Sequence, residues 1–551
     1  MTVDLSRRKF LIGSAGVSAA SFLIAACGSG ATASSGANNS SSNDNTTLLE
    51  AVAALPTGFS FDSQPSGYEN MEFNNNVQGN LLRNPYVISS RDKKALTQNN
   101  YAFEGVLAES YTVSDDGTEY TFNLRKGVLS QQGNPFSAED VLWSYQRKFN
   151  STSITPFVTS PAITNPAKQF SAPDDYTVKM MVDRQSDGFT LLALLANVTA
   201  EIYDSTYLKK HATKSDPYAL AFSNTNGNFG YGAYMLDSFT PGQQMILTAN
   251  EHYALGPPKI KKVIQRVVAD AGTRANILRQ GAVDIAVQLR PEDVVSFASD
   301  SNLQTFEVDT NDYLWITLNT ASGPFKDVRV RQAFQKAIPY DQIITNVYKG
   351  RADKMEGWLD PTAPGYSTAG LFYPAYDPTG AKALLKEAGM STADVSILIA
   401  SSVPDLEEAC VQIRSFAVAA GFNVTIIQAP AATVSAKESS GDFDAYMIRD
   451  MAISLSPPYE LLLEYTKDSP LNDGKWYDDA YYAAVDKGID AGNPLSPEAG
   501  NYWAEAMSIA LNQVPQVSVC RVQPLQVFAS YVSGYAHRSD NIIDYSIISK
   551  K

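Results

Sequence analysis

Three cysteines and three histidines are all the thiols and imidazoles that this 551-residue chain offers for chemistry. His211, His252 and His537 are widely separated. None sits in an HExxH pattern or beside a Cys or carboxylate at metal-ligand spacing, so no metal site is expected. No GxSxG nucleophile elbow and no GxxxxGK[ST] phosphate loop occurs. The stretch GNFGYG (Gly227 to Gly232) has its glycines in the wrong order for a dinucleotide fingerprint. Carboxylate pairs are common in a chain with 58 Asp and Glu against 43 Lys and Arg, and none stands out from its surroundings. The expectation is therefore no catalytic residue, no cofactor and no enzyme. One side chain is set apart by its place. Cys27 follows an apolar run directly and precedes a long polar stretch.

Arg7, Arg8 and Lys9 precede that run, which extends from Phe10 to Ala26 and is diluted by Gly and Ser. A membrane-spanning helix needs about 20 strongly apolar residues. This shorter, softer run fits the core of a signal peptide. Ser6-Arg7-Arg8-Lys9-Phe10-Leu11 resembles a twin-arginine export signal. Ile24-Ala25-Ala26-Cys27 resembles a bacterial lipobox, whose cysteine thiol takes a diacylglycerol and becomes the new N-terminus. Two or three acyl chains anchor stably where one does not. Gly28 to Thr47 is almost entirely Gly, Ser, Ala, Asn and Thr, and cannot bury enough apolar area to order itself. It reads as a leash with a span of about 25 Å. The expected order is a signal peptide at 1–26, then a lipidated cysteine and flexible linker at 27–47. Beyond it comes a body held at the outer side of a membrane.

That body is too long for one core, so two or three lobes are expected. The chain carries a formal charge of −15, which makes nucleic acid and anionic lipid poor partners. No later segment is apolar enough to span a membrane. Cys410 and Cys520 could form one disulfide in an oxidising compartment, and two buried thiols is the favoured reading.

Patterning supplies the elements. TEYTFNLRKGV alternates Tyr120, Phe122 and Leu124 with polar residues, as a half-buried strand does. NPFSAEDVLWSYQRKF starts a helix, with Ser137 and Asp140 as a capping box. GYGAYMLDSFTPGQQMILTANEHY reads as two antiparallel strands turning at Pro241-Gly242. KKVIQRVVADAGTRANILRQGAVDIA reads as strand, Asp270-capped helix and strand. DYLWITLNT is another strand, and a helix opens at Asp327. DVSILIAS, a helix from about Pro404 to Ala420, and FNVTIIQ form a parallel crossover unit. FDAYMIRD reads as a further strand of the same lobe. Open α/β sheets bind ligands beyond their carboxyl ends, which points to the loops after Ile399, Gln428 and Arg449.

Four of these stretches, in order, resemble the family 5 extracellular solute-binding proteins. They are Leu107 to Arg147, the block from Tyr231 to Val263, Gly323 to Ile344, and YDPTGAKALLKEAGM. The resemblance covers nearly everything from Thr47 onward. It implies a lipid-tethered receptor of an ABC importer with a bilobal, periplasmic-binding-protein-like α/β fold and an extra inserted domain. Residues 48–94, 216–305 and 511–551 would form lobe I, 95–215 the inserted small domain and 306–510 lobe II. The ligand, an oligopeptide or similar small solute, would lie in the cleft between the lobes and pass to ABC permease subunits. An oligosaccharide or other non-peptide solute is the alternative. A secreted hydrolase and a surface adhesin are the remaining classes, and the four blocks count against both.

In the peptide-binding branch an aspartate beyond the strand matching FDAYMIRD pairs with the peptide's ammonium. Counting without gaps puts Ile453 at that position and Met447 at a usual arginine. Asp450 would then be the substitute acid, or Arg449 the base. At face value the ammonium partner is lost, and the expected ligand is a blocked or longer peptide, or an uncharged oligosaccharide stacked on Trp315, Trp358 or Tyr459. Ser454 completes the candidate contacts.

Overall fold

Three sheets carry the body, and each grows from stretches whose polarity alternates. The computed structural model describes residues 45–551 except 64–66, 152, 198, 453, 467, 468 and 470. Arg7, Arg8, Cys27 and Ile453 thus lie outside the described residues. The third sheet is the simplest. Ala108–Val113, Glu119–Leu124, Thr177–Met181 and Phe170–Asp174 pair antiparallel in that order. Tyr120, Phe122 and Leu124 fill its buried face, as their spacing predicts. Ser137 and Asp140 cap the helix Ala138–Phe149 as a reciprocal box.

The first sheet has seven strands. Their order is Tyr234–Thr240, Gln244–Ala249, Lys262–Val267, Thr47–Val52, Ile285–Ala286, Val527–Ala529 and Leu303–Gln304. The first two form the expected hairpin, with Gly242 at φ +68° in its turn. The second sheet has six strands. They run Ala352–Asp353, Gln516–Val522, Asp312–Leu318, Ala445–Met451, Ala393–Ala400 and Phe422–Ala429. Ala393–Ala400 lies parallel to both neighbours, while Asp312–Leu318 is antiparallel to its own. The helices Val328–Ala337 and Pro404–Ala417 bury Val330, Phe334, Leu406 and Ile413 in one core with Leu314, Ile316 and Leu318. Cys410 and Cys520 are free thiols buried in that core.

The segment 511–551, expected as part of lobe I, divides between two sheets. Gln516–Val522 is buried throughout and pairs with Asp312–Leu318 in the second sheet. Only Val527–Ala529 joins the first sheet. One apolar run serves both sheets, and Pro524 divides it.

A buried ion network braces the junction between the first and third sheets' segments. Lys148 and Arg147, fully buried at the end of the helix Ala138–Phe149, face Asp62 and Glu201. Lys148 Nζ donates to Glu201 at 2.9 Å and to the Tyr203 hydroxyl at 3.0 Å. Arg147 donates to Ser60 at 2.8 Å and Ser223 at 2.6 Å. Buried charge is tolerable only when paired in this way. The network holds Ser60 and Asp62, and so fixes Phe61 between them.

Candidate ligand-binding site

Strand alternation decides which side chains meet. In Asp312–Leu318, Leu314, Ile316 and Leu318 face the helix-packed core, while Tyr313 and Trp315 face the other way into a chamber. Ala445–Met451 runs antiparallel beside it, with Tyr313 opposite Asp450 and Trp315 opposite Ile448. Asp450 therefore shares the face of Tyr313 and lines the chamber.

Arg449, one residue earlier, lies on the opposite face. There it meets Asp405 at 3.0 Å and Asp312 at 3.7 Å. It is a structural ion pair and not a chamber residue, since a one-residue step in a strand changes face. Met447 shares its parity and is buried in the core. Ser454 is also no part of the lining. It is buried, and its hydroxyl accepts from the Ser456 N–H at 3.3 Å, just before the helix Pro457–Tyr465.

That helix sends Tyr459, Glu460 and Leu463 into the chamber, which Trp358, Gln516, Phe61, Met71 and Asp540 complete. Ile154, Val158 and Asn197 close it from the segments around the third sheet. The cavity measures about 230 Å³. Of the three loops expected near a cleft, the one after Arg449 lines this chamber through Asp450, Met451 and Ala452. The loops after Ile399 and Gln428 do not. Ala445–Met451 pairs parallel with Ala393–Ala400 on one side and antiparallel with Asp312–Leu318 on the other.

The chamber is aromatic and acidic. Glu460 is 6% exposed, and its Oε1 accepts from the Tyr313 hydroxyl at 3.5 Å. Its Oε2 has no hydrogen-bond partner among the described residues. Burial, reinforced by nearby Asp360, pushes its pKa well above the usual carboxylate range. Asp450 is open to the chamber but deep in the protein, and its carboxylate accepts from the Met451 N–H at 2.9 Å. Desolvation pushes its pKa up to about 6. Asp540 is neutralised from behind by Arg538, which donates to it at 2.9 and 2.7 Å. No Lys or Arg occurs among the described lining residues. The indole Nε1 of Trp358 is likewise without a partner among the described residues.

Beyond Tyr313 lies a second, wetter groove of about 430 Å³, lined by Arg91, Tyr101, Asp353, Asp360, Arg521 and His537 among others. Arg521 stacks over the Tyr313 ring at 5.4 Å, so that pair forms part of the partition. Hydrogen bonds also join segments far apart in the chain. Arg91 donates to Asp353 at 2.5 Å, the Tyr101 hydroxyl donates to Asp360 at 2.7 Å, and the Thr190 and Ser456 hydroxyls meet at 2.6 Å.

Residues 102–471, most of the chain, match the model for the "Bacterial extracellular solute-binding proteins, family 5 Middle". The chain belongs to family 5. It is 29% identical over 389 residues to heme-binding protein A of Haemophilus influenzae, covering 68% of each chain. It is 27% identical over 342 residues to the probable D,D-dipeptide-binding periplasmic protein DdpA of Escherichia coli, covering 62% of this chain and 64% of that one. Against di/tripeptide-binding protein 2 of Pseudomonas aeruginosa it is 26% identical over 461 residues, 80% and 85% of the two chains. The periplasmic binding protein DppA of Helicobacter pylori, solved with the peptide STSA, superposes with a TM-score of 0.77 at 22% identity. The match covers 92% of this chain and 98% of that one. A dipeptide-binding protein from Pseudoalteromonas sp. SM9913, solved with Met-Leu, gives 0.77 at 19% identity, over 92% and 100%. These likenesses establish the bilobal family 5 fold. Family 5 proteins are transport receptors that work outside the cytoplasm. No helix among the described residues is long and apolar enough to cross a membrane.

Sequence reasoning put Trp315, Trp358, Asp450 and Tyr459 among its candidates, and the fold brings them to one cavity. It missed Tyr313, Glu460 and Asp540. Tyr313 was within reach, two residues before Trp315 on one strand face. Asp540 comes from the chain's far end and carries no local signal. The loss of an acid read at Ile453 concerns a residue outside the described ones, and the chamber carries carboxylates at Asp450 and Glu460 regardless.

Proposed function

We propose that this protein captures a small solute in the Tyr313–Trp315–Trp358 chamber and hands it to the permease of an ABC importer. One lobe comprises 48–94, 216–305 and the chain after Val522. Residues 95–215 form the inserted domain, and 306–510 with Gln516–Val522 form the opposing lobe. The observation that carries the proposal is the chamber itself: aromatic, partly open, and built from segments of all three parts. The hydrogen bonds from Arg91, Tyr101 and Thr190 across the seam fit a closed form that opens by a hinge. Arg7 and Arg8 direct export, and a lipid on Cys27 keeps the receptor beside its permease. Mass spectrometry of small molecules released from natively purified protein tests the proposal. One solute recovered near 1:1 is expected. Protein that emerges empty, and whose melting temperature no small solute changes, would contradict it.

A further inference from the structure

We infer that Tyr313, held in place by Arg521, is an end stop that fixes how long a solute the chamber admits. This rests on the receptor reading above and adds its length specificity. Strand register lines up a row of side chains across one face of the second sheet. Asp450 stands opposite Tyr313, Tyr313 opposite Arg521, and Arg521 opposite Asp353. Residues directly opposite on antiparallel strands share a face. Asp450 and Tyr313 line the chamber, while Arg521 and Asp353 line the second groove. Chamber and groove thus lie side by side over one floor, and the Tyr313–Arg521 pair stands at their border. Tyr313 is 3% exposed and Arg521 7%. The guanidinium lies over the phenol ring at 5.4 Å, an attraction between cation and π-face. Its Nη2 donates to the Leu359 carbonyl at 2.8 Å and to the Gly357 carbonyl at 3.4 Å, on either side of the chamber residue Trp358. The Tyr313 hydroxyl donates to Glu460 at 3.5 Å. A ring held at both its face and its tip does not swing aside for one more unit of solute. At about 230 Å³ the chamber falls below the roughly 300–1,000 Å³ of drug-sized ligand sites. Growth into the groove of about 430 Å³ requires the ring to be gone.

Calorimetry on the full-length protein, freed of bound solute by dialysis, tests this with two probe series that change length at constant chemistry. They are alanine peptides of two to six residues, and maltose through maltohexaose. In the parent, affinity within the series that binds should peak at about two or three units and fall beyond, because the chamber is small. In Tyr313→Ala the peak should move at least one unit longer. The five-unit member should then bind at least about tenfold more tightly than it does to the parent, the scale of burying one more side chain. Tyr313→Phe keeps the ring and should restore the parent's peak. Circular dichroism and melting temperature show whether Tyr313→Ala folds. If it does not, Arg521→Met, which keeps the bulk but releases the ring, should move the peak the same way. An identical peak in parent and variant, or parent affinity still rising at six units, would overturn the end stop and leave the receptor standing. Silence toward both series, with another solute recovered by mass spectrometry, would likewise overturn the end stop alone. Silence with no solute recovered would overturn the receptor reading as well.

Discussion

Asp450 and Arg449 are neighbours in sequence with opposite fates. Strand parity sends the acid to the chamber and the base to Asp405 and Asp312. Their order in FDAYMIRD made both candidates, but the sequence alone does not say which face looks at the cavity. The register against Asp312–Leu318 decides it. A consequence in pH follows. Asp450 has its pKa raised to about 6 by desolvation, so its charge is present above that value and lost below it. Asp312, on the reverse of the sheet, is raised to about 7 by burial against the lowering effect of Arg449, and Glu438 is also raised to about 7. Affinity for a captured solute that pairs with Asp450 should fall as pH drops through 6. The expected loss at pH 5 is about tenfold, in line with one unit of protonation. Titrations of the natively recovered solute from pH 8 to pH 5 check this, and Asp450→Asn should flatten the profile.

Among the elements, the strands and capped helices were legible because their signals are local. Ser137 with Asp140, Asp270 and Asp327 all cap the helices that their spacing indicates. The joins between distant segments were not legible. One such join is a buried knot in the first sheet. The Tyr545 hydroxyl reaches Glu50 Oε2 at 2.5 Å and Glu72 Oε1 at 2.7 Å, and Gln265 donates to both acids at 3.0 and 2.7 Å. One hydroxyl proton cannot serve two carboxylates. Burial first, then the charge of Glu72, hold the Glu50 pKa well above the usual range. Below the ordinary carboxylate pKa both folded and unfolded chains hold the proton, and this site's stability is fully present. As pH rises past that value the unfolded chain releases its proton first, so stability is lost up to the raised folded pKa. Glu50→Gln removes the loss. Its melting temperature should match the parent near pH 4 and exceed it by about 2 °C at pH 8. Differential scanning calorimetry at the two pH values checks this, and a variant that melts lower at pH 8 would contradict the assignment.

For the whole molecule, four family blocks in order made the bilobal fold readable along the chain, while the chamber's chemistry was not readable there. Its walls come from residues as distant as Phe61, Trp358 and Asp540, and only folding brings them together. Export and anchoring belong to this scale too. Cys27→Ser should move the protein from the membrane to the soluble fraction on fractionation, because Gly28 to Thr47 carries no large apolar side chain to hold a bilayer. Unchanged membrane association would contradict lipidation at that thiol. The central claim, capture of a small solute in the aromatic and acidic chamber, is tested most directly by a crystal structure of natively purified protein. Density should appear among Tyr313, Trp315 and Trp358. Density in the groove of Arg91, Arg521 and His537 instead, with the chamber filled only by water, would contradict it.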